Sequence, residues 1–325
     1  DPDRGGTPLL TVPAEALESL VLTTALGPAA AAGSGAQVAL SMRKPGAAWR
    51  GALALHATPS AFAGAGSRDA VAPPIASMEG WEDASLVAGG PVTQRLGLFV
   101  AARGARGDRT ERGAPARLSS DSVSLLAHAV YRPSARDEWR VLAAAGGANR
   151  PFSGRARLAD PTAQEKQRAV HAQAGFSRLA DGGSAWRTGL AYQEAGETPP
   201  EFVGGGVVEV ERLRDGPVEE LYASRRRVRR FDLRAEVSPA ALRFAGNEAT
   251  LGLSLEQSAA AWTPAPSSSA GVTAERVGGT PARQWDFVLA GDSGAHASHL
   301  ALFADDRLDL GRSLRLEGGL RFALW

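Results

Sequence analysis

The sequence predicts an all-β chain: an antiparallel transmembrane β-barrel, seen in part as about eleven strands, preceded by the end of a small α+β domain. Three observations carry this. The first is the stretch from Asp121 to Ala143. Val123, Leu125, Ala127, Ala129 and Tyr131 share one side of an alternating run, and Trp139, Val141 and Ala143 share one side of the next. Each run is about ten residues, the length that crosses a bilayer as a tilted strand. Aromatics flank the intervening turn, as they do where a barrel meets the headgroups. The second observation is that short and long connections alternate along the chain, which puts tight turns on one rim and long loops on the other. The third is the chemistry of the opposite faces. Arg230, Asp232, Arg234 and Glu236 alternate with Phe231, Leu233, Ala235 and Val237, and Arg315, Glu317 and Arg321 alternate with Leu314, Leu316, Leu320, Phe322 and Leu324. Charge on the second face suits a wide aqueous bore better than the packed interior of a small barrel.

Composition removes several function classes. A net charge of +1 over 325 residues gives no global attraction to nucleic acid. The absence of cysteine excludes disulfides, thiolate metal sites and Cys nucleophiles. No apolar run reaches the length of a transmembrane helix. The mean hydropathy of −0.16 is compatible with a membrane barrel, whose lumen-facing half is polar. The chain begins without Met or a signal peptide and stops at Trp325 inside an alternating run, so a processed or partial chain is expected.

In chain order, residues 1–46 stand apart from 47–325. Val12 to Leu22 opens with helical spacing and continues as a β-prone run, and Gly33 to Gly46 reads as a glycine-led strand closed by Pro45-Gly46. From Trp49 onward, strands are expected near 48–58, 83–90, 95–104, 121–132, 138–147, 168–178, 185–194, 219–237, 249–262, 297–310 and 313–325. Long connections are expected around 59–80, 105–120, 148–167, 195–218 and 263–296. Short ones fall around 91–94, 133–137, 179–184 and 311–312, with 238–248 intermediate.

Several stretches together resemble TonB-dependent outer-membrane receptors. Pro13-Ala14-Glu15-Ala16-Leu17-Glu18, then Gly33 to Gly46, then Trp49-Arg50-Gly51 resemble the join between plug and barrel. Gly89-Gly90-Pro91-Val92 resembles the turn leading to the third barrel strand, and Leu302 to Phe322 resembles a later hairpin with its Leu-x-Leu-x-x-Gly-Leu-Arg-aromatic strand. The resemblance implies that residues 1–46 are the C-terminal part of a plug and 47–325 the N-terminal portion of a barrel in the bacterial outer membrane. It further implies a small imported solute, energy from TonB through an upstream segment, and outer-membrane lipid or lipopolysaccharide as surroundings. Barrels of that family have about 22 strands, so the wall must be continued elsewhere, on this protein or on a second chain.

Candidate chemistry is sparse. The lumen-facing Arg230, Arg234, Glu236, Arg315 and Arg321 could bind solute or hold a plug and waters by hydrogen bonds, and Trp262 and Trp285 at the rim could stack on a sugar. Arg225 to Arg230 would divide between two strand faces, giving a solvated rim or one that attracts anionic substrate or lipopolysaccharide. His296 and His299, three apart on a strand, point to opposite sides and cannot share a metal. Trp139, Trp186, Tyr131 and Tyr192 read as interfacial girdle residues. No phosphate loop, nucleophile elbow or catalytic triad is present, so no enzyme, cofactor or metal is expected. Three functions remain: import of a solute, a non-transporting scaffold in an outer-membrane complex, or a soluble all-β binding protein whose half-buried strands would alternate in the same way.

Overall fold

A computed structural model of the chain describes residues 12–23, 37–59, 61–62, 76–111, 114–151, 163–200, 208–212, 224–242, 247–264, 272–277, 280–286, 292–310 and 314–324. Eleven strands form one antiparallel sheet, each hydrogen-bonded to its sequence neighbours in the wall. They are β3 (Arg50–Thr58), β4 (Ala76–Pro91), β5 (Leu96–Glu111), β6 (Ala114–Tyr131), β7 (Asp137–Pro151), β8 (Gln164–Leu179), β9 (Ala185–Thr198), β11 (Ser224–Ser238), β12 (Asn247–Pro264), β15 (Ser293–Leu310) and β16 (Leu314–Leu324). The sheet is open, with β3 and β16 as its edges. Before it comes a 3-10 turn at Ala14–Ala16 and a separate hairpin of β1 (Leu17–Thr23) and β2 (Gln37–Met42). A third sheet joins β10 (Val208–Arg212), β13 (Val272–Val277) and β14 (Thr280–Asp286), all drawn from the long connections.

All eleven expected wall strands are present, and most are longer than their alternation indicates. β5 and β6 run through the expected long connection at 105–120, pairing as far as Glu111 with Ala114. β4 starts at Ala76, inside the expected loop 59–80. The reason is physical: past the lipid both faces meet water, so Arg103 to Glu111 need not alternate in hydropathy although the backbone ladder continues. The tight turns match their residues. At 92–95 the Thr93 hydroxyl accepts from the amides of Arg95 (3.2 Å) and Leu96 (3.0 Å), and at 133–136 Ser134 accepts from those of Arg136 and Asp137 (both 3.1 Å). Gly183 takes φ 84° in the turn after β8, a conformation that suits a residue without Cβ.

Register makes the face assignment concrete, because directly paired residues share a side of the sheet. One row runs Val87, Ala101, Leu126, Ala144, and the next parallel set on the opposite face runs Leu86, Ala102, Leu125, Ala145. The outer face carries Leu53, Leu55, Leu86, Val123, Leu125, Val141, Leu190, Leu233, Leu302, Leu316 and Leu320, exposed up to 71% at Leu55 and 80% at Leu320. No second layer of protein covers them among the described residues. Such a face is stable against acyl chains and costly against water. Trp139, Tyr131 and Trp186 are exposed on it near the short-turn rim, and the Trp139 and Phe176 rings lie 4.6 Å apart. Tyr192 pairs with neighbouring Phe231 higher on the wall.

The inner face is less uniformly aqueous than its sequence suggests. Val87, Phe99, Ala101, Leu126 and Ala144 form a buried apolar patch under Ala16, with Val12, Met42 and Leu142 packed around it. Polar clasps flank it: Ser85 Oγ donates to Glu15 Oε1 (3.2 Å), and His128 Nδ1 lies 2.9 Å from the Arg43 carbonyl oxygen. The inner wall at β4–β7 is apolar because it seats the N-terminal segment. Glycines near this seat leave room for close neighbours. A Cβ at Gly90 would lie 2.5 Å from the Trp49 ring, whose Nε1 donates to the Pro91 carbonyl at 2.9 Å.

The face assignment predicts that Leu125→Arg destabilises the bilayer-embedded protein by about 2–4 kcal/mol. On the surface of a water-soluble protein the same change would fall within about 0.5 kcal/mol. Denaturant titration of the vesicle-reconstituted protein measures the difference.

Candidate functional site

The inward side chains of β9, β11, β12, β15 and β16 lie in cross-strand rows. Glu197, Arg226 and Trp262 form the row nearest the long-loop rim; below it come Ala195, Val228 and Ala260, then Gln193, Arg230 and Ser258, then Ala191, Asp232, Glu256 and His299. Further down lie Arg234 with Ser254 and Ala301, then Arg187, Glu236, Gly252, Phe303 and Arg321. Strand alternation puts every second residue of Arg225 to Glu236 on this face, so Arg226, Arg230 and Arg234 point inward while Arg225, Arg227 and Arg229 point outward. The arginine run divides between faces as its spacing requires.

Four of the five charged candidates, Arg230, Arg234, Glu236 and Arg321, belong to one patch, and the patch is internally paired. Arg230 donates to Asp232 through Nε (2.9 Å) and contacts Glu256 through Nη2 (3.0 Å). Arg234 Nε donates to Glu236 Oε1 (2.5 Å), and Arg187 Nη1 stands 4.0 Å from Glu236 Oε2. The Arg234 guanidinium also lies 5.1 Å above the Phe303 ring. Arg321 Nη2 donates to Ser254 Oγ (3.2 Å). Arg315 is not in this patch: it sits near the short-turn rim and donates to Asp309 (2.7 Å). A similar pairing occurs across the wall, where buried Asp83 accepts from Arg103 and faces His56 Nδ1 at 3.2 Å. Opposed charges at this spacing stiffen an aqueous wall by fixing side-chain positions, each exposed pair contributing little.

Trp262 occupies a different place. It borders a recess of about 380 Å³ floored by Ala195, Val228, Ala260 and Ala297, with Arg226 and Glu197 at its edge. Small side chains on four adjacent strands make the floor shallow, and the indole supplies an apolar side to it. Trp285 lies on β14, paired with Thr273; its side chain is outside the described residues. A second recess of about 470 Å³ separates the β1–β2 hairpin from the wall and is polar, with Glu18, Lys44, His128, Glu138, Arg140 and Gln173 around it. Sequence reasoning did not single out Glu197 or Glu256, and named Arg226 and Val228 only within the run Arg225 to Arg230. Arg226 carried a signal, sharing the parity of Arg230 and Arg234; Glu197 and Glu256 become neighbours through cross-strand register. His296 and His299 point to opposite faces, His299 buried and His296 exposed. No group of three or more His, Cys, Asp or Glu suited to a metal occurs among the described residues.

No family model and no curated protein matches the chain. Solved structures do match. The chain is similar to the outer membrane transporter YddB from Escherichia coli, at 11% identity and a TM-score of 0.66, over 97% of this chain and 44% of that one. It is similar to the ferric enterobactin receptor PfeA from Pseudomonas aeruginosa at 18% identity and a TM-score of 0.62, over 96% and 45%. It is likewise similar to the siderophore receptor PirA from Acinetobacter baumannii at 14% identity and a TM-score of 0.61, over 96% and 44%. These are outer-membrane receptors and transporters rather than enzymes. At such identities the likeness is one of fold: the chain has the wall architecture of their transmembrane barrels, as its sequence pattern predicts. It spans less than half the length of each.

The packing of the inner patch generates a test. A Cβ on Gly252 would lie 2.2 Å from the Phe303 ring, so Gly252→Ala must displace the ring on which Arg234 rests. The expected cost is about 1–3 kcal/mol in denaturant unfolding. Phe303→Leu in the same background should recover most of it, since the clash is with the ring edge.

Proposed function

We propose that the chain forms the first half of the barrel wall of a TonB-dependent receptor in the bacterial outer membrane, with residues 1–46 the end of its plug and 47–325 the wall. The receptor imports a scarce solute by binding and plug rearrangement, without covalent chemistry. One observation supports this above the others: Val12, Glu15, Ala16, Met42 and Arg43 pack on the inner face of a sheet whose outer face is apolar. A segment held inside the wall by two polar clasps and one small apolar seat can be released at modest cost, as a gated channel requires. The two open edges, β3 and β16, need partners in lipid, because unpaired backbone groups there cost several kcal/mol each. Further strands of the same protein or a second chain supply them, and outer-membrane lipid surrounds the wall.

PfeA is named a ferric enterobactin receptor and PirA a siderophore receptor, and an iron-chelating solute of that class is the one we propose to test first. Its place is the recess under Trp262, where planar rings can lie on the alanine floor and an anionic group can meet Arg226. The paired charges Arg230, Arg234, Glu236, Arg315 and Arg321 then hold the wall rather than the solute. Their self-pairing favours one competing reading, a barrel scaffold that transports nothing. The soluble-binding-protein reading loses its support, since Leu233, Leu253, Leu316 and Leu320 face outward with no packed second layer among the described residues.

A panel of ferric siderophores titrated against the detergent-solubilised receptor separates transport from scaffold. Binding of one panel member, weakened about tenfold by Trp262→Ala and by Arg226→Gln, is the expected result. Binding unaffected by both removes the recess from the function, and no binding across the panel favours the scaffold.

A further inference from the structure

The outer face of the wall carries a second feature that neither the fold nor solute uptake accounts for. Above the apolar rows, toward the long-loop rim, Lys166 and Arg168 of β8 and Arg225, Arg227 and Arg229 of β11 all point outward and are exposed. β9 runs between them and contributes one outward carboxylate, Glu194. That carboxylate is already shared: Arg227 Nε donates to Oε1 (2.8 Å), Arg229 Nε donates to Oε2 (3.1 Å), and the Tyr192 hydroxyl donates to Oε2 (2.7 Å). Five cations thus face one acid on three adjacent strands. Toward this rim the next outward acid among the described residues, Asp121 of β6, lies beyond β7 and accepts from Asn149 (2.8 Å).

Register shapes the patch. Arg168 pairs with Gly196, and Gly196 pairs with Arg227, so the two guanidinium groups flank a residue with no side chain. Two strand spacings separate their backbones by about 10 Å, a gap that two long side chains close around one tetrahedral anion. One residue pair below, on the same face, lie Val170, Glu194 and Arg229, followed by Ala172, Tyr192 and Phe231, where the apolar rows begin. The cations therefore sit at the level where acyl chains give way to headgroups, on the side away from the lumen. A solute in the bore cannot reach them.

We propose that Lys166, Arg168, Arg225, Arg227 and Arg229 form a docking patch for the phosphate groups of an anionic outer-leaflet lipid. This rests on the membrane-wall reading above. Arginine suits the task because its planar fork binds phosphate oxygens in pairs. Glu194 and the Tyr192 hydroxyl orient two of the forks along the wall, which lowers the entropy lost on binding. Tyr192 itself sits at the interfacial depth where its ring meets the first acyl carbons.

The test uses the full chain in neutral detergent, titrated with lipid A, a phosphorylated glycolipid, and followed by the shift of its thermal midpoint. The triple variant Arg168→Gln/Arg227→Gln/Arg229→Gln should bind lipid A roughly a hundredfold more weakly, at about fivefold per cation. The corresponding triple Lys variant, which keeps the charges, should stay within about tenfold of the native protein. Arg95→Gln, in a short turn on the opposite rim, should change nothing. Affinity of the triple Gln variant within about threefold of native overturns the patch, as does an equal response to inorganic phosphate or to phosphatidylcholine. Heat-modifiable gel migration, recorded on the same samples, reports the barrel independently. Migration retained without lipid A selectivity refutes the patch alone, whereas its loss in the native protein refutes the wall reading as well.

Discussion

A hydrogen-bonded backbone inside hydrocarbon has no solvent to fall back on, and that constraint organises this chain. Each wall strand from β4 to β15 has a hydrogen-bonded neighbour on both sides, so along the paired stretches its amides and carbonyls are satisfied before any side chain is considered. Pairing fixes the strands as extended ribbons, and the ribbon's period of two then sorts side chains between the outer face and the bore along each regular stretch. Leucine, valine and alanine collect outside, and Arg, Asp, Glu, His and Ser collect inside, because the ladder leaves them no third option. The inner face turns apolar at the seat for Ala16, where protein rather than water covers it, and again at the alanine-rich recess under Trp262.

The same constraint explains the behaviour of the inner charges. An aqueous bore tolerates arginine, but long cationic side chains on adjacent strands repel unless carboxylates come between them. The rows supply these: Asp232 and Glu256 around Arg230, Glu236 beside Arg234, Asp309 between Arg307 and Arg315. Individual pairs of this exposure are weak. Collectively they fix the direction in which each guanidinium points, so the bore has a defined lining. The recess under Trp262 differs in its floor, which is made of Ala195, Val228, Ala260 and Ala297, with Arg226 and Glu197 at the edge.

Much of this architecture was legible from the residues. Val123 to Tyr131 and Trp139 to Ala143 showed their lipid face because lipid contact demands strict alternation over about ten residues. The turns at 133–136 and 180–184 were legible from Pro, Ser, Gly and Asp, and Leu17 to Met42 from its separate rhythm. The outer ends of β4, β5 and β6 were not, because a strand wet on both faces has no hydropathy period; Arg103 to Glu111 reads as loop until its ladder is seen. β10, β13 and β14 were missed for the same reason, being short strands inside long polar connections. The site was legible in part. Parity alone assigned Arg230, Arg234 and Glu236 to the bore, while the grouping of Glu197, Arg226 and Trp262 depends on the stagger between three strands, which no local pattern encodes.

That stagger also decides what the wall can do beyond crossing a membrane. Shifting β11 by one residue against β9 would move Arg226 to the lipid face and Arg227 to the bore, exchanging the two sets of arginines. The register is held from below, where Val237, Leu233 and Phe231 must meet lipid beside Trp186, Leu190 and Tyr192. The apolar rows near the short-turn rim therefore position polar groups some ten residues away at the other rim. Recess and cationic patch are two faces of the same strand segment, one addressing the bore and the other the headgroups. Because alternation ties them together, neither face can be re-aimed by a change of register without disturbing the other.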